Sequence, residues 1–253
     1  MWQPVLMIDG FVLCILGSSM LIPVGIDAYD GLNITSPFLT SEVITLFIGL
    51  MLFLSNKNKI SNISLRQGYL ITFVCWVTVA LFSALPLILS SATPDITSAL
   101  FESVSGVTAT GATVIPDVEA LPRSVLLWRS MLNGLGGIGI VIFAVAMLPF
   151  LGIGGMQMFE HESSDTTDKL MPKFIDIAKW ILGVYLSLVA ICAVCLYFCG
   201  MGKFDALNHA LSAVATAGFS TKNNSIAYFN SASIEMVLTL FMVLGALPMT
   251  FYI

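Results

Sequence analysis

Charged residues are scarce in this sequence. Lys, Arg, Asp and Glu together make up 10% of the 253 residues, whereas a soluble domain carries about a quarter. A chain with so few charged residues cannot expose most of its surface to water. The sequence also has no lysine- or arginine-rich run, which excludes the basic patch typical of nucleic-acid-binding proteins. We therefore expect a lipid bilayer, and no nucleic acid, as a partner.

Histidine is scarce as well, with only His161 and His209. This is too little material for a zinc site or a histidine-based catalytic site. The HExxH and GxSxG motifs are missing, and no apolar segment carries two carboxylates on one helical face. An intramembrane enzyme would need a nucleophile–base pair. We therefore expect no enzyme and no organic cofactor.

Apolar runs fill most of the chain, in which 57% of the residues are hydrophobic. About 20 apolar residues are enough for one helical crossing of a bilayer, so the sequence predicts an all-α integral membrane protein. Crossings are predicted at about 5–25, 39–55, 67–91, 124–150 and 174–200, and from 233 to the end of the chain at Ile253. Two shorter and less apolar helices are predicted at 96–107 and 204–215.

The positions of Lys and Arg predict the orientation, because cytoplasmic loops carry an excess of both. With a cytoplasmic N-terminus, six basic residues lie in inner loops and four lie in or near outer segments. Acidic residues make the outer face net negative, and such a face concentrates cations. This topology places 56–66 and the polar connector 160–173 inside, and 113–123 and 220–230 outside.

An internal repeat relates the two short helices and the segments that follow them. Shifting the chain by 107 residues aligns Gly111 with Gly218 without a gap. The aligned segments read SVSGVTATGAT (103–113) and ALSAVATAGFS (210–220). A repeat of this length is typical of a duplicated membrane unit and is too long for a solenoid period.

Each short helix leads into a segment rich in Thr, Ser, Ala and Gly. Non-helical backbone at membrane depth leaves carbonyl groups unpaired, and this is tolerated only where they line a polar cavity or bind something. A dehydrated cation needs such oxygens in place of its water shell. The glycine in each loop allows backbone angles that turn carbonyls toward one axis, and the short helix directs its partly negative C-terminus at the same place. The pattern predicts two cation-filter loops.

The order of these segments resembles the Trk/Ktr/HKT superfamily of potassium transporters, with the bacterial TrkH branch closest. The resemblance runs over essentially the whole chain and includes two extra helices before the first pore unit. Further supporting stretches are WRS at 128–130, LGGIGI at 135–140, LP at 148–149 and LGIGGMQ at 151–157.

The resemblance implies that K⁺ is the transported ion and that backbone carbonyls in two filters bind it. The implied filter positions are Ala109, Thr110, Gly111, Ala112 and Thr113 in the first unit, and Thr216, Ala217, Gly218, Phe219 and Ser220 in the second. The carbonyls of Thr110, Gly111, Ala217 and Gly218 are the expected K⁺ ligands. The family usually has Thr at the first position, so Ala109 removes a side-chain oxygen there.

The resemblance also implies an organisation and partners. Residues 1–60 would form two N-terminal helices, 61–158 the first helix–pore helix–filter–helix unit, and 159–253 the connector and a second unit that ends within its last helix. The family surrounds one pore with four units, so another chain would supply the two missing ones. It further implies a homodimer in the bacterial inner membrane and a cytoplasmic nucleotide-binding regulatory subunit.

Several alternatives stay open at this point. A less selective Na⁺/K⁺ conducting subunit and a non-conducting truncated fragment stand beside Trk-type potassium uptake. Glu102 and His209 either bond to the backbone behind the filters, which we favour, or coordinate the ion. Asn133 either lines a cavity or bonds across helices, and Asp9 is expected to reach the cytoplasmic surface. The GxGxxG pattern at 134–139 lies in an apolar helix, which favours helix packing over dinucleotide binding.

Overall fold

Helices dominate the computed structural model, which describes residues 2–31, 37–57, 64–151 and 167–252. The α-helices are α1 (Gln3–Ser19), α2 (Leu21–Tyr29), α3 (Pro37–Asn56), α4 (Leu65–Leu89), α5 (Ile96–Val107), α6 (Arg123–Leu151), α7 (Thr167–Phe198), α8 (Lys203–Val214) and α9 (Ala232–Ala246). Two 3₁₀ turns follow α8 and α9, at Ser225–Phe229 and Met249–Tyr252. No strand occurs within the described ranges.

Four stretches of helix among the described residues are long and apolar enough to cross a bilayer. They are Gln3–Tyr29, Pro37–Asn56, Arg66–Leu89 and Asp176–Phe198. Large apolar side chains on them face outward, and Phe73, for example, is 68% exposed. The 29 residues of α6 extend about 44 Å at 1.5 Å per residue, more than the hydrocarbon core requires. The prediction of an all-α integral membrane fold is confirmed.

The last helix was predicted wrongly. It was expected to continue to the end of the chain, but α9 ends at Ala246. The reason is Pro248, whose ring disfavours helical angles in the residue before it, and Leu247 is accordingly extended with ψ 144°. The predicted polar connector, 160–173, is also too long, because the helix Thr167–Phe198 begins within it. Residues 160–166 of that connector lie outside the described residues.

The N-terminal helices pack onto the first pore unit, which consists of α4, α5, the loop after it and α6. Helix α1 contacts α3 and α4, and α2 contacts α6. Trp128 lies at the centre of the shared core with none of its surface exposed. Its indole Nε1 donates to the carbonyl of Ser83 at 3.0 Å, and its ring meets Phe38 edge to face. These contacts join α3, α4 and α6.

Asp9 does not reach the surface, contrary to the prediction. Only 2% of it is exposed, and Thr78 on α4 donates a hydrogen bond to its Oδ1 at 2.5 Å. The close contact between α1 and α4 encloses the carboxyl group before it can extend toward water. Asp9 therefore links the N-terminal helices to the first pore unit.

The second pore unit consists of α7, α8, the loop after it and α9. Buried side chains from all three helices form one apolar core, which includes Ile181, Ala210 and Leu238. Helix α6 of the first unit also contacts α8 of the second. This contact brings the two filter loops together.

The two short helices begin differently. Asp95 caps the start of α5, and its carboxylate accepts a hydrogen bond from the backbone amide of Ser98 at 2.7 Å. That amide holds the pKa of Asp95 below its usual value. The α8 helix begins after Gly202 without a side-chain cap. The predicted bounds of the two helices, 96–107 and 204–215, agree with α5 and α8 to within one residue.

Candidate cation filter

The first filter loop starts with a Schellman motif at the end of α5. The amide of Ala109 donates to the carbonyl of Gly106 at 3.0 Å, and that of Thr110 donates to Ser105 at 2.9 Å. Ala109 takes the left-handed conformation that this motif requires, with φ +52°. The chain therefore leaves the helix axis at Ala109.

The second loop repeats this geometry 107 residues later. The amide of Thr216 donates to Ala213 and that of Ala217 donates to Ser212, both at 2.9 Å. Thr216 has φ +51°, a conformation that is uncommon for a β-branched residue. The repeat seen in the sequence is thus a repeat of backbone geometry.

The central glycines lie against each other, but only one needs to be glycine for its backbone angles. Gly111 has φ +72°, and a Cβ atom there would overlap the backbone of Gly218. Gly218 does not lie in the left-handed region, and a Cβ on it would meet the Gly111 Cα at an ordinary 3.7 Å. The expectation that both glycines adopt angles closed to other residues is therefore wrong for Gly218.

Eight of the ten filter carbonyls accept no hydrogen bond from any residue that the structure describes. They include the four that are expected to bind K⁺, those of Thr110, Gly111, Ala217 and Gly218. The Ala112 carbonyl differs, because the hydroxyl of Ser105 donates to it at 2.6 Å. Of the remaining filter positions, Thr113 and Thr216 are exposed, whereas Phe219 is buried.

Glu102 supports the first filter from behind. It is fully buried, and its Oε1 accepts hydrogen bonds from the Thr113 hydroxyl at 2.5 Å and the Val114 amide at 2.6 Å. Both contacts lie where the loop leaves the filter. The favoured interpretation, a bond to the loop from behind rather than coordination of the ion, agrees with this geometry.

His209 supports the second filter at the equivalent place. Its Nδ1 lies 2.8 Å from the carbonyl of Asp205 and donates to it, since a carbonyl can only accept. The neutral ring then accepts at Nε2 from the hydroxyl of Ser220, which is 3.0 Å away. Ser220 Oγ in turn accepts from the amide of Lys222 at 3.0 Å. His209 therefore supports the second filter loop from behind, as Glu102 supports the first.

Arg129 connects the two loops, and sequence reasoning had missed this. Arg129 belongs to α6 and is 1% exposed as a whole residue. Its Nε donates to Glu102 Oε2 at 3.2 Å, and its guanidinium lies 4.2 Å from the ring centroid of Phe219. The available signal was an arginine within a long apolar segment, since such residues are usually paired.

Asn133 bonds across helices, one of its two predicted alternatives. Its Nδ2 donates to the hydroxyl of Ser212 in the second unit at 3.3 Å. Its Oδ1 has no hydrogen-bond partner among the described residues. The bond joins α6 to the end of α8.

Two glycines allow a neighbouring helix to pack closely against the end of each short pore helix. A Cβ atom on Gly136 of α6 would overlap the carbonyl of Val107 at the end of α5. A Cβ on Gly245 of α9 would overlap the carbonyl of Val214 at the end of α8 in the same way. The GxGxxG pattern therefore serves helix packing, as predicted, because Gly136 lets α6 touch the last turn of the pore helix.

Comparison with known proteins identifies the family. The sequence profile of TrkH, described as a cation transport protein, matches residues 35–252. The chain belongs to the TrkH family of cation transport proteins. The predicted resemblance is confirmed, and membership in a transporter family agrees with the expectation of no enzyme.

Relatives and a solved structure agree with this assignment. The chain is 38% identical over 245 residues to the Trk system potassium uptake protein TrkH of Halomonas elongata, covering 96% of this chain and 51% of that protein. It is 37% identical over 243 residues to TrkH of Escherichia coli, covering 94% of this chain and 50% of that protein. The crystal structure of the potassium transporter TrkH from Vibrio parahaemolyticus aligns with a TM-score of 0.86 at 34% identity, covering 100% of this chain and 51% of that one. The chain spans about half the length of these TrkH proteins.

Proposed function

We propose that the two loops are segments of a potassium-selective filter, and that this chain takes part in potassium uptake across the bacterial cytoplasmic membrane. The filter segments are residues 109–113 and 216–220. The observation that carries the proposal is the set of filter carbonyls that accept no hydrogen bond from the described residues, which includes all four expected ligands. They lie in two loops that repeat each other's geometry and whose glycines are in contact.

Carbonyl oxygens without a hydrogen bond suit a dehydrated K⁺ ion. An ion that enters the filter exchanges water for these oxygens, while the C-terminal ends of α5 and α8 add partial negative charge. A membrane potential of 100 mV supplies about 2.3 kcal/mol per unit charge. Uptake by this route needs no covalent chemistry and no organic cofactor.

The two filters provide part of a coordination shell. Thr110 and Gly218 are exposed, and we propose that two further filter segments face them in the assembled protein, from another chain or from elsewhere in the same polypeptide. The arrangement into 1–60, 61–158 and 159–253 belongs to this proposal. So do a homodimer and a cytoplasmic nucleotide-binding regulatory subunit, which rest on the family resemblance alone.

The segments assigned to the outer face meet at one end of the protein. Asn223 bonds to Asp117 at 2.8 Å, to the Val118 amide at 2.7 Å and to Glu119 at 3.1 Å. Arg123 pairs with Asp30 at 3.0 Å. This clustering supports a shared side for both filter entrances. The acidic groups at this end of the protein favour its assignment to the outer side of the membrane, which places the N-terminus in the cytoplasm.

Ala109 favours a second candidate, a less selective Na⁺/K⁺ conductor. It occupies the left-handed position that Thr216 holds in the other unit, and it brings no hydroxyl. The neighbouring Thr108 and Thr110 hydroxyls bond to each other at 2.8 Å, so neither is free of a partner. A filter with fewer side-chain oxygens discriminates less strictly between the two ions.

Growth of a bacterial host without its own potassium-uptake systems tests the proposal. We expect the wild-type chain, in its assembled form, to restore growth and Rb⁺ uptake at low potassium, and Gly111→Ser to abolish both. Gly139→Ala is the control, because a Cβ at Gly139 meets nothing within 4 Å. Absence of uptake by wild-type protein that is present in the membrane would contradict the proposal. Equal Na⁺ and K⁺ uptake would favour the second candidate.

A further inference from the structure

Arg129 is a buried charge to which the filter proposal assigns no role. Its side chain lies in the apolar helix α6 with 2% of its area exposed, and that of Glu102 is fully buried. A charge inside a membrane protein is costly unless it is paired and hydrogen-bonded. Apolar residues would fill this place at lower cost, so the contacts of Arg129 call for a functional explanation.

On one side, Arg129 reaches the first filter through Glu102. Its Nε donates to Oε2 of the carboxylate at 3.2 Å. The other oxygen, Oε1, accepts from Thr113 and from the amide of Val114. A continuous chain of polar contacts therefore runs from the guanidinium to the loop at the end of the first filter.

On the other side, the same guanidinium touches the second filter directly. It lies over the ring of Phe219 at 4.2 Å from the centroid. Its Nη1 makes a long contact of 3.5 Å with the carbonyl of Ser220. Phe219 and Ser220 are consecutive filter positions, and Ser220 is the repeat equivalent of Thr113. Arg129 thus lies between equivalent ends of the two filters.

The second unit has no equivalent of Arg129. The shift of 107 that aligns the filters pairs it with Met236 (129 + 107). The shift of 109 that pairs Gly136 with Gly245 gives Leu238 instead (129 + 109). Neither residue carries a charge, and Glu102 is replaced in the second unit by His209. One arginine therefore serves both loops.

We propose that Arg129 is a positioning residue that sets the spacing between the two filter segments and thereby helps to discriminate K⁺ from Na⁺. This rests on the filter function proposed above. Discrimination depends on the number and arrangement of the oxygens around the ion. A guanidinium is suited to hold that arrangement because it is planar, binds in a fixed fork and stacks on aromatic rings.

Four variants separate positioning from simple charge pairing. Arg129→Gln leaves the Glu102 carboxylate unpaired, whereas the double variant Glu102→Gln/Arg129→Gln leaves no buried charge. Gln at 102 still accepts from Thr113, but Gln at 129 is too short to hold both loops. Arg129→Lys keeps the charge without the planar fork. The matched control is Arg123→Gln, because Arg123 begins the same helix and its partners, Asp30 and Phe204, lie outside the filter segments.

Two measurements are made on the assembled protein. The first is the ratio of K⁺ to Na⁺ flux into proteoliposomes, with membrane levels checked for each variant. The second is amide hydrogen exchange of the loops at 108–114 and 216–221, which does not depend on transport. We expect the double variant to reach wild-type levels, to lose about tenfold in flux ratio and to exchange faster in both loops. Arg129→Lys should give a flux ratio and exchange rates between those of the wild type and the double variant. Arg123→Gln should match the wild type in both measurements.

Two results would overturn the proposal. A wild-type flux ratio in the double variant would mean that Arg129 only neutralises Glu102. Faster exchange in one loop alone, or in neither, would mean that it does not connect the filters. If the wild-type protein carried no K⁺ at all, the proposed function would fail, and the exchange of the two loops would still decide whether Arg129 joins them.

Discussion

Glu102 and His209 occupy the same place in the two pore units, 107 residues apart (209 − 102), although one is an acid and the other an imidazole. Each bonds to the hydroxyl at the end of its own filter, Glu102 to Thr113 and His209 to Ser220. Glu102 forms an ion pair with Arg129, whereas Lys222, the cation that acts on His209, is paired with Asp205. Each supporting residue is thus matched to the charge of its surroundings.

This match predicts that the two supports are not interchangeable. His209→Glu would place a buried carboxylate behind the second filter, where the nearby cation Lys222 is already paired with Asp205, and an unpaired buried charge costs about 3–5 kcal/mol. We expect a large loss of folded protein in the membrane, measured by fluorescence-detected size exclusion. His209→Gln is the control, because its amide can still accept from Ser220. Equal losses for both variants would contradict this explanation.

The two filter glycines should respond unequally to the same substitution. Gly111→Ala strains a left-handed residue and collides with Gly218, at a cost of about 1 kcal/mol or more. Gly218→Ala adds a methyl group at an ordinary contact distance. We expect a large drop in the K⁺/Na⁺ flux ratio for the first and a small one for the second. The opposite order would refute the loop geometry.

Position 109 should control selectivity through a hydroxyl. Ala109→Thr restores the residue that the second unit carries as Thr216, and Thr216 shows that Thr can take the same φ. We expect the K⁺/Na⁺ flux ratio to rise by a few-fold, with little change in stability. Thr216→Ala should lower it to a similar extent. Unchanged ratios in both variants would show that these hydroxyls do not contribute.

The close packing below the filters predicts a stability difference along α6. Gly136→Ala would force the middle of α6 away from the end of α5, and overpacking of this kind costs about 1–3 kcal/mol. Gly245→Ala should act likewise on α8 and α9. Gly139→Ala should be neutral or stabilising, because it gains helix propensity without a clash. Thermal unfolding in detergent measures all three, and equal melting temperatures would contradict the packing described.

The topology predicts which positions react with an impermeant thiol reagent in intact cells. On a cysteine-free background, Ala120→Cys and Ala227→Cys should be labelled, because both positions are exposed and assigned to the outside. Lys57→Cys should be protected until the cells are opened. Strong labelling at position 57 in intact cells would reverse the orientation.

The sequence predicted the two short helices and the loops that follow them well, because their signal occurs twice in register. Loop composition, short helices and spacing agree in both units, and the chain leaves α5 and α8 at equivalent residues. It could not predict which residue adopts left-handed angles. The helix C-cap selects Ala109 and Thr216. Beyond the cap the two loops differ, because Gly111 is left-handed and Gly218 is not.

The role of Arg129 was not predictable for a different reason. Its hydrogen-bond partners are 27 and 91 positions away along the chain. A local sequence pattern does not reveal contacts between residues so far apart. Asp9 was misjudged in the same way, since its partner Thr78 is 69 positions away. A charge in an apolar helix signals that a partner exists but does not say where.

The Arg129–Glu102 pair also constrains how the chain enters the membrane. Glu102 leaves the ribosome 27 residues before Arg129, so α5 carries an unbalanced acid until α6 follows it. Insertion of either helix alone would bring a bare charge into hydrocarbon. The two helices therefore need to enter the bilayer together as a hairpin, and biogenesis of the first pore unit depends on a contact that forms only when both are present.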